Sequence, residues 1–202
     1  MVNLYKSFFF LFFGLISSMS AALAADEFMI TTGQTSQPIG HYEFCQRLPN
    51  ECKIRNKVLR PIKLTQRSWD TLIDVNNDIN KRIRPVTDIE LYGQEEYWAY
   101  PVDAGDCEDY ALEKQRILHQ KGFPLASLLI TVLKKPNGEG HAVLTVRTDR
   151  GDFILDNLRD EIYNWKDTEY TYLKRQAILS PGYWVSIEER DDIVVGSVFH
   201  KN

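Results

Sequence analysis

Cys107 lies in a Gly-Asp-Cys-Glu-Asp-Tyr-Ala segment that spans residues 105–111, and His141 and Asp156 follow later in the chain. A thiol predicted at a helix start, with a later histidine and aspartate, is typical of a cysteine nucleophile with a base and an orienting group. Three acids surround this thiol, namely Asp106, Glu108 and Asp109. Carboxylates next to a thiol raise its pKa and disfavour the thiolate. The segment therefore predicts a compensating bound cation.

The acids beside Cys107 form a candidate calcium site, with Asp106, Glu108 and Asp109 as the predicted ligands. Ca²⁺ prefers carboxylate oxygen and takes roughly six to eight ligands. One helical turn cannot direct all three side chains to one point, so backbone carbonyls, water or the loop near Asp103 must contribute. The alternative is that these acids cap the helix and match its dipole, because the segment is not an EF-hand loop.

The cysteine count separates a structural disulfide from a reactive thiol. The chain has three cysteines, and Cys45 and Cys52 lie close together around a Pro-Asn turn. In an exported chain these two are natural disulfide partners, which leaves Cys107 as the odd thiol. The alternatives are two reduced core thiols or half of a zinc site, but further zinc ligands are missing nearby. Charged neighbours favour a reactive Cys107 over a buried, inert thiol.

Two helices are predicted before the sheet. Apolar residues near helical spacing predict the first helix over Leu64–Ile83, and Pro85 stops it. The second is predicted over Cys107–Gln120, with Asp106 as its N-cap and Asp109 three positions later, as in a capping box. A thiol in the first turn of this helix experiences the positive end of the helix dipole, and its backbone N–H is placed to stabilise an oxyanion.

A meander of strands follows the second helix. Apolar and alternating runs predict strands at Leu125–Leu133, His141–Val146, Phe153–Leu158, Tyr183–Ile187 and Ile193–Val198. Helices followed by a meander indicate an α+β domain with an antiparallel sheet. Residues 26–40 are predicted to be a loosely held lead-in, and residues 87–105 an irregular connection.

The predicted hairpin leaves the orienting aspartate open. If Arg150-Gly151 forms a two-residue turn, Thr145 pairs with Asp156 and His141 pairs with Asp160. His141 and Asp156 are then about 13 Å apart along the ladder, which is too far for a hydrogen bond. A bulge or a longer loop would close this gap, and Asp160 is the alternative orienter by register alone.

The chain resembles the bacterial transglutaminase-like cysteine proteinases, which include the LapG-type periplasmic proteases. The similarity covers nearly all of the chain after the first 24 residues, at residues 76–83, 97–101, 105–111, 114, 118, 140–144 and 155–157. It implies a papain-like or transglutaminase-like fold, with the catalytic cysteine at a helix N-terminus packed on an antiparallel sheet that carries the histidine and the aspartate. It also implies that Cys107 is the nucleophile, His141 the base and Asp156, rather than Asp160, the orienter.

The resemblance further implies a cofactor and partners. LapG-type members depend on calcium and use the acids that flank the cysteine, which corresponds to Asp106 and Glu108 here, and extends to Asp109. Well-studied members cleave a large surface adhesin near its N-terminus at a di-alanine site, and an inner-membrane receptor holds them inactive. A protein substrate such as a biofilm adhesin and an inner-membrane regulatory receptor are therefore the expected partners.

Residues 1–24 have the pattern of a secretory signal peptide, which predicts export to the periplasm. Lys6 supplies the positive charge, Phe8–Ile16 the apolar run, and Ala22–Ala24 the small residues before cleavage. The apolar run is shorter than the roughly 20 residues that span a membrane. Residues 25–202 then form one transglutaminase-like cysteine peptidase domain. Removal of Lys6 changes the formal net charge from -4 to -5, which gives no case for a nucleic-acid partner.

Together these patterns predict an exported, calcium-dependent cysteine endopeptidase. The Cys107 thiolate attacks a backbone carbonyl, His141 protonates the leaving amine, and water releases the acyl-enzyme. One alternative keeps the triad of Cys107, His141 and Asp156 in a transglutaminase or amidase, which passes the acyl group to an amine or acts on a side-chain amide. The other alternative is a non-catalytic, calcium-responsive binding module.

Overall fold

The structure, a computed structural model, describes residues 27–188. Within this range the strands are β1 (Thr31–Thr35), β2 (Arg84–Pro85), β3 (Ala104–Gly105), β4 (Leu128–Lys134), β5 (Gly140–Thr148), β6 (Gly151–Leu155), β7 (Tyr163–Asn164), β8 (Thr171–Ala177) and β9 (Ser180–Ile187). Seven of them form an antiparallel sheet in the order β1-β9-β8-β4-β5-β6-β7. Strands β2 and β3 form a separate parallel pair. The predicted α+β class with an antiparallel sheet is confirmed.

The helices of the described range are α1 (Ile39–Arg47), α2 (Pro49–Cys52), α3 (Gln66–Arg82), α4 (Asp88–Tyr92) and α5 (Cys107–Gln120). The predicted bounds of α5 are confirmed, and α3 begins two residues later and ends one residue earlier than predicted. Thr65 caps α3, because its side chain accepts a hydrogen bond from the Ser68 N–H. None of these helices is long and apolar enough to cross a membrane.

The sheet has a core on each face, and α5 packs against β4 and β5 on one of them. Leu144 belongs to the core that contains the helices, whereas its neighbour Val143 belongs to the core on the opposite face. This alternation follows from the two-residue period of a strand. Burial of each large apolar side chain stabilises the fold by about 1.5–3 kcal/mol. The core against α5 therefore fixes the start of that helix, and with it Cys107, relative to β5.

The β5–β6 hairpin differs from the prediction by one residue. Thr148 pairs with Gly151, so the two-residue turn consists of residues 149–150 instead of 150–151. Gly151 has a φ of +135°, which favours glycine at this position. Leu144 pairs with Leu155, and β6 ends there. Asp156 therefore follows opposite Val143, two positions closer to His141 than the predicted register placed it.

Other predicted elements also need correction. Residues 26–40 are not a loose lead-in, because β1 pairs with β9 and α1 begins at Ile39. The stretch 87–105 contains α4 and β3. Residues 125–127 form a 3₁₀ turn before β4, and the sequence prediction missed β8. The predicted strand Ile193–Val198 and the predicted signal peptide, residues 1–24, lie outside the described residues.

Candidate active site

Cys107 is the first residue of α5 and the free cysteine of the chain, with a partly buried side chain. Gly105 precedes it in β3, and a Cβ at Gly105 would lie 2.5 Å from Asp109 Oδ2. Glycine is therefore needed there, because the Asp109 carboxyl packs against the backbone. The N-terminus of a helix favours a negative charge, which is the setting in which a thiolate is formed most easily.

The thiol itself is protonated in this arrangement. Cys107 Sγ donates a hydrogen bond to Glu108 Oε2 at 3.2 Å. Burial raises the pKa of the Cys107 thiol well above its usual value, and the charge of Glu108 and this hydrogen bond raise it further. The backbone N–H of Ala142 acts in the opposite direction, because it hydrogen-bonds to the sulfur. The thiolate therefore requires that the Glu108 carboxyl be drawn away from the sulfur.

His141 and Asp156 form a buried pair. His141 Nε2 lies 2.8 Å from Asp156 Oδ1, and the two residues are 6% and 2% exposed. An ionised Asp156 accepts from Nε2–H, which leaves Nδ1 as the ring nitrogen that is not bound to this carboxylate. Ala142, whose N–H contacts the sulfur, directly follows His141. The structure thus brings together the three predicted catalytic residues at the junction of α5, β5 and the end of β6.

Asp156, and not Asp160, is the aspartate that contacts His141. Asp160 Oδ1 instead accepts from Asn80 Nδ2 at 3.3 Å, on the exposed side of α3. Asp156 keeps its charge in spite of burial. Burial acts to raise its pKa, but the hydrogen bond and charge of His141, the Leu158 N–H and the Tyr170 hydroxyl together lower it.

Asp88 joins Asp106 and Glu108 in a group of carboxylates that sequence reasoning missed. One carboxylate oxygen of each lies within 4.8 Å of the others. The parallel pairing of β2 with β3 places the start of α4 beside the start of α5, and the Asp88 N–H donates to Asp106 Oδ2 at 3.2 Å. A contact across 18 residues has no local pattern, so no sequence signal points to Asp88.

Asp109 lies outside this group of three, and the side chain of the predicted N-cap, Asp106, does not form its half of a capping box. Asp109 Oδ1 accepts from the Ala99 N–H at 2.7 Å, and the Asp106 side chain makes no capping hydrogen bond to α5. Backbone N–H groups of the 97–99 segment thus bind two of these acids, since the Tyr97 N–H likewise donates a hydrogen bond to Asp88 Oδ2. The metal-binding roles of Asp106, Glu108 and Asp109 stay predictions.

These acids fit a hard cation by their unpaired oxygens and their pKa values. Among residues 27–188, Asp88 Oδ1, Asp106 Oδ1 and Asp109 Oδ2 are buried without a hydrogen-bond partner. Burial and the charge of Asp106 raise the pKa of Glu108 to about 10. Burial also raises the pKa of Asp109 to about 8, with a further contribution from Asp106. Carboxyls that are buried close together disfavour one another's ionised forms, and a bound cation relieves this. Their unpaired oxygens are the ligand type that Ca²⁺ prefers.

The Cys45–Cys52 disulfide is present as predicted, with a Cα–Cα distance of 5.6 Å. It joins α1 to α2, and α1 contacts the 97–99 segment. His41 of α1 packs edge-on against Trp98 at 5.4 Å, and Arg47 donates to the Trp98 carbonyl. Burial lowers the pKa of His41 to about 4, so its imidazole is neutral near pH 7.

Comparisons with known proteins agree with this geometry. The model of the bacterial transglutaminase-like cysteine proteinase family (BTLCP) matches residues 31–192, and the chain belongs to this family of cysteine peptidases. A solved structure of LapG from Legionella pneumophila has 27% identity, covers 58% of this chain and 68% of its own, and superposes with a TM-score of 0.50. A search of curated proteins gives no match.

Two further solved structures of Legionella pneumophila LapG are also similar to this chain, with lower TM-scores. An EGTA-treated form has 24% identity over 63% of this chain and 74% of its own, with a TM-score of 0.49. A calcium-bound form has 23% identity over 69% of this chain and 77% of its own, with a TM-score of 0.48. The family and fold are those of a papain-like, transglutaminase-like cysteine peptidase, as the sequence resemblance implied.

Proposed function

We propose that the protein is an exported, calcium-dependent cysteine endopeptidase with Cys107, His141 and Asp156 as its triad. The observation that carries the proposal is the buried pair of His141 Nε2 and Asp156 Oδ1, 2.8 Å apart, beside a thiol at a helix N-terminus. This pair holds the imidazole with Nδ1 available for the Cys107 proton. The imidazolium that results is stabilised by the Asp156 carboxylate.

The chain's own groups account for the steps of peptide hydrolysis. The Cys107 sulfur attacks the scissile carbonyl, and its proton passes to His141 Nδ1. The tetrahedral oxyanion is stabilised by the backbone N–H of Cys107, which is unpaired within the helix because it belongs to the first turn. His141 then returns the proton to the leaving amine, and water, deprotonated by His141, hydrolyses the thioester.

Calcium dependence is supported by the carboxylates of Asp88, Asp106 and Glu108. A bound Ca²⁺ would supply positive charge that keeps these acids ionised. Glu108, which in this structure accepts the thiol hydrogen bond, would then be engaged as a metal ligand. The Cys107 thiol would lose the partner that favours its protonated form and could transfer its proton to His141. Asp109 is included in the proposed ligand set through its unpaired Oδ2.

The expected location and substrate follow from the sequence. The signal-like residues 1–24 and the Cys45–Cys52 disulfide support a periplasmic enzyme. The resemblance to LapG-type proteases supports a protein substrate, with a large surface adhesin as the candidate, and an inner-membrane receptor as the regulator.

The test is a mass-spectrometric survey of a periplasmic and surface protein mixture incubated with the purified protein. Wild-type protein with calcium is compared with the Cys107→Ala variant and with wild-type protein in EGTA. New N-termini that require both Cys107 and calcium are expected. Joined peptides or deamidated glutamines without new N-termini would identify a transglutaminase or an amidase. No covalent change, together with calcium-dependent capture of a partner by both the wild-type protein and the Cys107→Ala variant, would identify a binding module.

A further inference from the structure

The second carboxylate oxygen of Asp156 has its own dedicated donor. Oδ1 accepts from His141 Nε2 at 2.8 Å and from the Leu158 N–H at 3.0 Å. Oδ2 accepts from the Tyr170 hydroxyl at 2.6 Å. A carboxylate held only through Oδ1 can rotate about its Cβ–Cγ bond, whereas donors on both oxygens fix the plane of the group.

Tyr170 also contacts the base itself. Its ring lies edge-to-face against the His141 imidazole, with centroids 5.9 Å apart, and against Tyr172 at 6.4 Å. Tyr170 immediately precedes β8. Tyr172 pairs with Leu133 of β4, and Leu133 pairs with His141 of β5, so only β4 separates this end of β8 from the base. One side chain therefore restrains both the Asp156 carboxylate and the His141 ring.

The Tyr170 hydroxyl is held in its donor form. Burial raises the pKa of Tyr170, and the hydrogen bond to Asp156 and the charge of that carboxylate raise it further. The Arg159 guanidinium lies 5.8 Å from the Tyr170 ring centroid and partly opposes this shift. A phenol that stays protonated across the working pH range can only donate to Asp156, and this keeps the carboxylate ionised.

We propose that Tyr170 is a positioning residue of the peptidase, which fixes the Asp156 carboxylate and the His141 imidazole in the orientation that proton transfer requires. The inference rests on the function proposed above and goes beyond the triad. Tyr170 acts through Asp156 and His141 and needs no contact with the substrate. Its loss should therefore lower kcat and leave KM nearly unchanged.

The test is the Tyr170→Phe variant, which removes the hydroxyl and keeps the ring. Loss of a hydrogen bond to a charged group should lower kcat roughly ten- to hundredfold. The acidic limb of the kcat profile should move to higher pH, because Asp156 loses a donor that stabilises its charge. The downfield proton resonance of His141 Nε2–H should weaken or shift, which a purely structural role of Tyr170 would not cause.

Tyr163→Phe is the matched control, because Arg159 lies 5.8 Å from this ring as well and Tyr163 is a half-exposed residue of β7. It should leave kcat, the pH profile and the His141 resonance unchanged. Wild-type values in Tyr170→Phe would overturn the proposal, as would equal effects in both variants.

The pH profile of Cys107 alkylation separates this inference from the proposed function. If the wild-type protein cleaves no substrate, the endopeptidase proposal fails, but alkylation still reports the thiolate that His141 and Asp156 support. An alkylation profile of Tyr170→Phe shifted to higher pH on its acidic side would then support the positioning role. A profile that coincides with that of the wild type would overturn it.

Discussion

Calcium binding should release protons, because the acids that would hold the ion carry protons in its absence. The pKa of Glu108 is raised to about 10 and that of Asp109 to about 8, in both cases chiefly by burial. A metal ion binds the deprotonated carboxylate, so each protonated ligand must lose its proton on binding. The perturbation is a calcium titration of the metal-free protein at several pH values.

The size of the effect follows from the two pKa values. At pH 7 a group with a pKa of about 10 is almost fully protonated, and one with a pKa of about 8 is about nine-tenths protonated. Binding should release about one proton if only Glu108 is engaged and nearly two if Asp109 is engaged as well. The apparent dissociation constant should therefore fall between about tenfold and a hundredfold per pH unit near neutrality.

The assay is isothermal titration calorimetry in buffers with different heats of ionisation, which counts the protons released per calcium ion. Asp109→Asn should reduce the count by almost one if Asp109 is a ligand and leave it unchanged if it is not. Asp74→Asn, at an exposed position of α3, is the control and should match the wild type. Heats that do not depend on the buffer, with calcium bound at pH 7, would refute the reasoning, because Glu108 would then already be ionised.

Three further predictions concern stability and catalysis. Replacement of Cys45 and Cys52 by serine should destabilise the fold by about 2–3 kcal/mol in urea unfolding, as the loop-closure model gives for a sequence separation of 7; an unchanged midpoint would contradict this. Burial lowers the pKa of Lys114 to about 7, so above pH 7 the unfolded state binds more protons than the folded state. The free energy of unfolding of the wild type should therefore rise by about 2 kcal/mol between pH 7 and pH 9 relative to that of Lys114→Met. Parallel profiles of stability against pH for the two proteins would contradict this. Asp156→Asn should lower kcat at least a hundredfold, because the charge that stabilises the His141 imidazolium is lost, and wild-type turnover in this variant would remove Asp156 from the triad.

The sequence predicts the parts of the site that depend on local patterns. The bounds of α5 are read from its apolar spacing and from the residues at its ends, and Cys107 is placed correctly at its start. The Cys45–Cys52 disulfide follows from compartment and spacing. The hairpin register leaves the partner of His141 open, because moving the turn by one residue changes every facing pair of β5 and β6.

The parts that could not be predicted depend on contacts between distant segments. Asp88 reaches Asp106 through the β2–β3 pair, which has only two residues in each strand and therefore no periodic signal. Asp109 fits a capping box by spacing, but spacing gives no sign that its Oδ1 accepts from the Ala99 N–H. The sequence does not distinguish Tyr170 from the other aromatic residues of the sheet. Only the pairing of β8 with β4 brings its hydroxyl to Asp156.

The most direct test of the account is the alkylation of Cys107 by iodoacetamide, with and without calcium, followed by peptide mapping. The account predicts slow labelling in EGTA, because the thiol donates to Glu108 and burial raises its pKa. It predicts fast labelling with calcium, at Cys107 alone, because the other two cysteines are joined in a disulfide. Slow labelling that calcium leaves unchanged would contradict an activated thiolate beside a metal site.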